Sequence, residues 1–527
     1  MNPAYLFIVI FSFPFFLFSQ SQTDNRYKWQ NSDAIIEIIN GKTDQAIDYF
    51  QQFLKTHPGD LESYYGLALA YTQKQDYEKA LEYVKTGVEE GLPLARFIAG
   101  PRNLFQPLVT QKAFKVFAEG HYTPIIHGPL MGNFTDKQAS FWIRTDKQRK
   151  IFLSINDQKK AFSARTLQET DFTTLITAEN LQPNTTYQYK LGTASNPNLE
   201  EGSFTTFPET GKPASFQIGF GGGAGYTLQY ERMWDTLLTH PLTAFFLMGD
   251  NVYIDQPEYP EIQDYCYYRR QSRPEFRRFT RSVPVFSIYD DHDFGKDDCY
   301  GGTSIHTPAW KVPVWEKFTH QYANPYYGGG KENPGCYYHF SIADVDFFML
   351  DTRFYRTNGK DKIKPDTMLG EVQKQWLFDQ LKASTATFKV IGTSVPISSG
   401  TKPGNAGNDT WDGFSEDREE LFSFIEKNKI EGVFFVAADR HRSDAWKTNR
   451  KNGYPFYEFM SSRLTNNHTH PVMPNSLFGY NKTPSFGLLE FDTTSKDPKV
   501  IYRIFNIENE EIHQMTVYKT ELSFPGK

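Results

Sequence analysis

Acidic residues and histidines stand directly after three apolar runs of this sequence. The three groups are Asp250, Asn251 and Tyr253; Asp290, Asp291, His292, Asp293, Asp297 and Asp298; and Asp439 with His441. Carboxylates at this density repel one another unless cations neutralise them. Aspartate oxygen combined with histidine nitrogen suits a borderline transition-metal ion rather than zinc held by sulfur. Together the groups predict a metal site, although any one alone would also fit a hydrogen-bonded turn or a solvated acidic loop.

The apolar runs before these groups are typical of buried strands. After about Pro213, runs such as TAFFLM, VFSIY and GVFFVAA alternate with helical or irregular stretches. A layered α/β arrangement gathers its ligands at the edge where such strands end. Asp439 and His441 are two positions apart, so both side chains would face one side of an extended segment. The pattern predicts an α/β catalytic domain over residues 213–520.

A helical region is predicted ahead of this domain, over residues 31–98. Its pattern repeats with a step of nearly 34 residues, so that Ala46 matches Ala80 and Phe50 matches Val84. This resembles tetratricopeptide repeats, whose paired helices bury their apolar faces by stacking. So short an array is expected to be a packing module, and contact with a protein partner is the alternative.

Residues 122–208 change to a period of two, which is typical of strands. ASFWIRTD, KIFLSIND and TYQYKLG are short alternating segments separated by turn residues. LQPNTTYQYKLG resembles the strand-turn-strand corner of fibronectin type III and related immunoglobulin-like domains. A β-sandwich that braces the catalytic domain is the prediction.

Bulk composition narrows the partners and the compartment. The chain has 527 residues and a net charge of -6, which gives no general attraction to nucleic acid or anionic membranes. Residues 1–19 resemble a secretory signal peptide, so the protein is expected in a periplasm or outside the cell, with no membrane span after cleavage. Cys266, Cys299 and Cys336 form no CxxC pair, and their pairing is left open.

The order and spacing of GDNVY, DDH and DRH resemble the alkaline phosphatase D (PhoD-like) family of metallophosphoesterases. MLDTRFYR and LGEVQKQWLFDQL resemble the segment that this family has between its second and third motifs. The resemblance implies a four-layer, calcineurin-like α/β catalytic domain behind a sandwich domain of the kind these enzymes often carry. It also implies bound metal ions, with ferric iron and calcium as the family pair and zinc or manganese as alternatives.

Roles carry over to single positions through this resemblance. Asp250 would bridge two metal ions, and Tyr253 would bind ferric iron as a phenolate. Asp291, Asp439 and His441 would complete the metal ligands. The resemblance gives His292 the task of steadying the phosphoryl group and protonating the leaving oxygen. The residues expected to contact the substrate are Asn251, Arg440, Gly222 and Gly223.

One position departs from the family pattern. Where the family typically has a cysteine ligand after the first strand, this chain has Gly221, Gly222 and Gly223. Water, a backbone carbonyl or Tyr226 would have to replace the thiolate. Alternatively, the glycine amides would form a nest for an anion.

The predicted reaction is in-line hydrolysis of a small phosphomonoester or phosphodiester by metal-activated hydroxide. Two alternatives stay open: a hydrolase of sulfate esters or carbohydrate-linked phosphate, and a non-catalytic binding protein that has lost one metal ligand. Other side chains could recognise the anion or lie elsewhere, namely Arg269, Arg270, Arg463, His468 and His470.

Overall fold

A computed structural model describes residues 25–156, 158, 161–358 and 366–525 of the protein. The predicted signal peptide lies outside these described residues and stays a prediction. Within the described ranges, no helix is both long enough and apolar enough to cross a membrane.

The described part of the chain starts with a helical region, as predicted. A π-helical turn, Arg26–Gln30, runs directly into the first of seven helices. These are α1 (Asn31–Ile39), α2 (Thr43–Thr56), α3 (Leu61–Gln73), α4 (Tyr77–Glu89), α5 (Ala95–Ala99), α6 (Arg102–Val109) and α7 (Lys112–Glu119). The Asp60 side chain caps α3 by accepting from Ser63 N, as a residue before a helix commonly does. In α3, a Cβ on Gly66 would lie 2.2 Å from the Phe50 ring, so glycine permits the close approach of α2 and α3.

Two small antiparallel sheets follow. Their strands are β1 (Ile125–Gly132), β2 (Ala139–Thr145), β3 (Lys150–Ile155), β4 (Phe162–Arg165), β5 (Thr173–Ala178), β6 (Thr186–Gly192) and β7 (Glu200–Thr205). One sheet has the order β1-β2-β5 and the other β4-β3-β6-β7. Phe141 of the first sheet packs against Tyr189 and Phe204 of the second, which gives this part of the chain its apolar core.

The remaining residues form two larger sheets with helices between their strands. The strands are β8 (Ser215–Gly221), β9 (Ala244–Met248), β10 (Val285–Ile288), β11 (Tyr338–Ile342), β12 (Val345–Met349), β13 (Phe388–Gly392), β14 (Val433–Ala437), β15 (Ser443–Thr448), β16 (Phe456–Met460), β17 (Phe478–Tyr480), β18 (Ser485–Asp492), β19 (Lys499–Asn506) and β20 (Glu511–Tyr518). The helices are α8 (Met233–Leu237), α9 (Pro260–Ser272), α10 (Pro274–Thr280), α11 (Asp291–Phe294), α12 (Lys311–Thr319), α13 (Glu371–Ala383) and α14 (Ser415–Lys427).

The two sheets have the orders β10-β9-β8-β18-β19-β20 and β11-β12-β13-β14-β16-β15-β17. Phe246 of the first sheet contacts Phe347 of the second, and Phe491 contacts Phe388 and Phe434. Aromatic side chains therefore join the two sheets. Burial of these large apolar surfaces is the main stabilising contribution to this part of the fold.

Parallel pairing brings the relevant strand ends together. Strands β8, β9 and β10 are mutually parallel neighbours, and β13, β14 and β16 are parallel in the other sheet. A backbone bridge between Gly222 and Ser462 links the end of β8 to the segment after β16. The carboxyl ends of these six strands thus meet at one edge, where parallel sheets commonly place their sites.

Candidate metal centre

Asp250 follows β9 in a left-handed turn of the backbone. Gly249 and Asp250 have φ angles of +102° and +53°. A positive φ is costly for a residue with a Cβ, and such strain is concentrated at functional sites. Oδ2 of Asp250 lies 3.4 Å from the Tyr253 hydroxyl and 3.7 Å from Nε2 of His441. The turn therefore directs this carboxylate toward a phenol and an imidazole.

Tyr253 and His441 complete this small triangle of donor atoms. The Tyr253 hydroxyl is 3.5 Å from Nε2 of His441. Separations of 3.4–3.7 Å are long for hydrogen bonds, and they suit atoms that share one ion. Asp439 lines the same cavity. Asp439 and His441 have φ angles of +64° and +46°, so the predicted extended segment is wrong and a left-handed turn presents both residues.

Asp291 and His292 lie at the start of the short helix α11, which follows β10. Asp290 and Asp293 form a reciprocal capping box around this helix, which leaves Asp291 and His292 for the cavity. Nδ1 of His292 lies 2.6 Å from Oδ1 of Asp255. Oδ2 of Asp291 accepts from the Asp298 amide at 2.7 Å.

Arg353 stabilises the start of α11 through Asp290. Its guanidinium donates to Asp290 and to Asp409, and the side chain is fully buried. Asp351 in turn accepts from the amides of Arg353 and Phe354. Asp351 and Arg353 therefore support the strand ends and do not line the cavity.

The electrostatics of the site favour a cation. Burial and the neighbours Asp291 and Asp290 raise the pKa of Asp250 well above its ordinary value, although His292 opposes this. Oδ1 of Asp250 and Nδ1 of His441 are buried without a hydrogen-bond partner among the described residues. Unpaired buried donors and acceptors are rare and costly, and a metal ion would satisfy Oδ1 of Asp250. The donor set present here therefore fits metal binding.

The pKa values of His292 and His441 are shifted in opposite directions. Burial opposes its protonation, but Asp291, Asp255 and Asp250 outweigh that effect and raise its pKa well above its ordinary value. Burial lowers the pKa of His441 far below its ordinary value, with help from His468 and Lys28. One imidazole is thus suited to carry a proton, and the other is suited to bind a metal in its neutral form.

The glycine segment after β8 does not form the anion nest that the sequence left open. Gly222 N donates to the Ser461 carbonyl at 3.3 Å, and Gly223 N donates to the Gly249 carbonyl at 3.2 Å. Both amide N–H groups are therefore occupied within the protein. Gly222 and Gly223 cannot use them for the expected contacts with the substrate. Tyr226 cannot replace the thiolate either, because its ring packs against Arg269 and Tyr27.

Other expected contacts also lie elsewhere. Asn251 points inward, where its amide donates to the Ile288 carbonyl at 2.8 Å, so it does not line the cavity. Arg269 and Arg270 are buried and donate to Tyr27 O and Glu231, and Arg463 donates to backbone carbonyls. Arg440, by contrast, does line the cavity. The three thiols form no disulfide and do not line the cavity; Cys266, for example, donates to the Tyr253 carbonyl.

A cavity of about 620 Å³ surrounds the site, and several of its residues escaped the sequence analysis. Those without a predicted role are Lys28, Trp29, Asp255, Lys296, Lys402 and Asn466. His468 and His470 do line the cavity, with nitrogen atoms within 4.8 Å of each other and of one in His441. Asp255 could have been found as an acidic residue five positions after Asp250, whereas Lys28 and Trp29 carry no signal in the sequence.

Paired sheets whose strand ends converge on carboxylates, a tyrosine and histidines define a metallophosphoesterase type of fold and site. The chain belongs to the PhoD-like phosphatase family, whose model matches residues 218–492. Models of a domain of unknown function and of a tetratricopeptide repeat match residues 122–208 and 37–93. The predicted resemblance to the family, with repeats ahead of it, is thereby confirmed.

Individual proteins show the same similarity. Alkaline phosphatase D of Bacillus subtilis (strain 168) is 24% identical over 315 residues, which cover 52% of this chain and 54% of that protein. The chain thus spans about half the length of this curated relative. A solved structure of PhoD gives a TM-score of 0.62 at 16% identity over 75% of this chain and 90% of that one. The purple acid phosphatase PPD1 from yellow lupin (Lupinus luteus) seeds gives a TM-score of 0.56 at 11% identity, covering 76% and 78%.

Proposed function

We propose that this protein is a metal-dependent hydrolase of small phosphate esters. The observation that carries the proposal is the convergence of Asp250, Tyr253 and His441 within 3.7 Å of one another, with Oδ1 of Asp250 buried and without a hydrogen-bond partner among the described residues. Asp291 and Asp439 line the same cavity. We assign these five residues as the metal ligands, on a catalytic domain of the four-layer, calcineurin-like type.

Bound metal ions would supply Lewis-acid activation of water and of the phosphoryl group. The donors here are carboxylate, phenol and imidazole, a set that suits iron, zinc or manganese. Of these three kinds of donor, calcium would take only the carboxylate oxygens. Asp291, Asp297 and Asp298 offer three such oxygens within 4.8 Å of one another. The pairing of iron with calcium is what the resemblance to the family implies, and the glycines that stand in place of the cysteine ligand weaken it.

The other cavity residues suit the remaining steps. His292, held by Asp255, donates a proton to the leaving alcohol. Arg440 and Lys402 face the same cavity and would attract the phosphoryl oxygens. Bound metal ions would supply an activated water as the nucleophile, so no serine or cysteine nucleophile is needed.

Elemental analysis combined with turnover assays tests this proposal. The purified protein should contain metal and should hydrolyse a chromogenic phosphomonoester or phosphodiester, and a chelator should remove both properties. Separate assays of each ester, and of a sulfate ester, identify the preferred bond. A protein that binds none of iron, calcium, zinc or manganese, and stays inactive after addition of each, would be a binding protein and not a hydrolase.

A further inference from the structure

Two consecutive residues of the N-terminal helical region reach the catalytic cavity. Lys28 and Trp29 lie in the π-helical turn before α1. Both line the cavity that Asp250, His292 and His441 also line. Lys28 is only 3% exposed although its side chain is charged. A lysine is rarely buried without a specific partner, so its position needs an explanation.

Lys28 contacts the tyrosine side of the site. Its ammonium donates to Oδ1 of Asn466, and Nδ2 of Asn466 donates to the Tyr253 hydroxyl at 2.6 Å. The same ammonium lies 5.4 Å from the centre of the Tyr253 ring. A positive charge is therefore placed at the cavity wall, next to a residue assigned to the metal.

Trp29 contacts the histidine side. Its indole Nε1 donates to Oδ2 of Asp255 at 2.6 Å, while Oδ1 of Asp255 lies 2.6 Å from Nδ1 of His292. Both oxygens of Asp255 are thus engaged, one by the helical region and one by the imidazole. The carboxylate cannot rotate without breaking one of these two contacts.

The turn that carries Lys28 and Trp29 is firmly attached to both domains. Arg269 of α9 donates to the Tyr27 carbonyl, and the Tyr27 hydroxyl donates to Asp60 at 2.5 Å. A buried ion pair, Arg96 with Glu62 at 2.9 Å, also joins the repeats to α9 through Tyr265. The turn is therefore held by contacts with both the catalytic domain and the helical region.

We propose that the helical region completes the active site: Lys28 binds the phosphoryl oxygens of the substrate, and Trp29 is a positioning residue for Asp255 and His292. This inference rests on the proposed phosphoesterase function. Bound metal ions would offset the negative charge of the aspartates in the cavity. The Lys28 ammonium at the cavity wall would then attract an anionic substrate together with these ions. The repeats then act as a wall of the site and not only as a packing module.

The Lys28 assignment is tested in the full chain with Lys28→Met, Lys28→Arg and the control Lys74→Met. Lys74 follows α3, pairs with Asp44 at 2.6 Å on the surface and does not line the cavity. Loss of a charge-assisted contact should raise KM and the inhibition constant of inorganic phosphate about tenfold in Lys28→Met, with metal content unchanged. Lys28→Arg should recover most of this loss, and Lys74→Met should change either constant less than about twofold.

Unchanged phosphate affinity in Lys28→Met would overturn the assignment, and so would loss of metal, because Lys28 would then act through Asn466 and Tyr253. If the wild-type protein hydrolyses no ester, the proposed function fails. Calorimetric titration of the metal-loaded protein with inorganic phosphate would still decide whether Lys28 binds the anion.

The Trp29 assignment is tested by Trp29→Phe, which keeps an aromatic ring and removes the indole N–H donor. We expect kcat to fall about fivefold, with KM and the thermal midpoint unchanged, because one hydrogen bond that orients Asp255 is lost. The same substitution made in an Asp255→Asn background should have little further effect. An equal loss in both backgrounds, or no loss in either, would show that Trp29 does not act through Asp255.

Discussion

Nδ1 of His292 lies 2.6 Å from a carboxylate oxygen of Asp255, and Nε2 faces the open side of the cavity, 3.8 Å from the exposed Asp297. This pairing fixes which ring nitrogen can meet a substrate. A carboxylate bound to the far nitrogen orients an imidazole and stabilises its protonated form. The arrangement therefore suits a general acid whose proton is delivered from Nε2.

His292→Gln should keep the bound metal and lose turnover. Positioned proton transfer contributes about 10²–10⁴-fold to rate, so kcat should fall within that range for a substrate with a poor leaving group. A substrate whose leaving group needs no proton should be affected much less. Similar losses for both substrates, measured at constant metal content, would contradict the role of His292 as an acid.

Asp250→Asn should lose the metal itself. Changing a residue that only supports a ligand costs about 10–100-fold in metal affinity, so loss of a buried ligand should cost at least about 100-fold. Elemental analysis and turnover should fall together. Glu258→Gln is the matched control, because Glu258 is an acidic residue that pairs with Lys296 at the rim. Full metal content in Asp250→Asn would show that the ion is bound elsewhere.

Gly223→Cys should restore a thiolate near the metal. A Cβ at Gly223 would lie 3.3 Å from the His441 ring, whereas at Gly222 it would lie 2.7 Å from the Ala438 side chain. Gly223 has φ +70°, so a side chain there should cost about 1–3 kcal/mol of stability. We expect iron reconstitution to give a visible thiolate-to-iron absorption band in Gly223→Cys and none in the control Gly222→Cys. Absence of the band in folded Gly223→Cys would mean that iron does not bind beside His441.

Arg96→Met should weaken the attachment of the helical repeats. It leaves Glu62 buried without its cation, and breaking such a pair typically costs about 3–5 kcal/mol. The free energy of unfolding in urea measures this loss. Arg278→Met is the control, because Arg278 pairs with Asp235 at the surface and should matter by less than about 1 kcal/mol. Equal stability of the two variants would contradict the importance of the buried pair.

Lys389→Met should change how stability depends on pH. Burial lowers the pKa of Lys389 to about 8 from an ordinary 10.5, against the attraction of Asp346. Between these pH values the unfolded chain holds a proton that the folded chain has released, so this lysine makes stability rise with pH. The contribution is about 2 kcal/mol between pH 7 and pH 9.5. Urea unfolding should show this rise in the wild type relative to the variant, and parallel curves would refute the shift.

The sequence predicted the residues at the strand ends because local signals mark them. An apolar run followed at once by Asp250, or by Asp291 and His292, indicates a buried strand that ends in polar side chains. The identity of each donor follows from its residue type. What local signals cannot give is direction, and Asn251 shows this, because it stands next to Asp250 yet turns away from the cavity.

The parts of the site that escaped prediction depend on distant contacts. The local sequence allows Gly222 and Gly223 to form an anion nest, but their amides donate to the carbonyls of Ser461 and Gly249. Asp439 and His441 were expected on an extended segment, but their left-handed turn is set by how β14 joins β15. Lys28 and Trp29 resemble ordinary residues at the start of a helix, and only their docking gives them a role.

The bond between Lys28 and Asn466 joins residues that are 438 positions apart in the chain. Closing so long a loop costs conformational entropy, so we expect this contact to form late in folding. During synthesis, the emerging chain would present isolated carboxylates and would have no enclosed pocket. Capture of metal by the full set of residues would thus report that the repeats, the two small sheets and both large sheets have all come together.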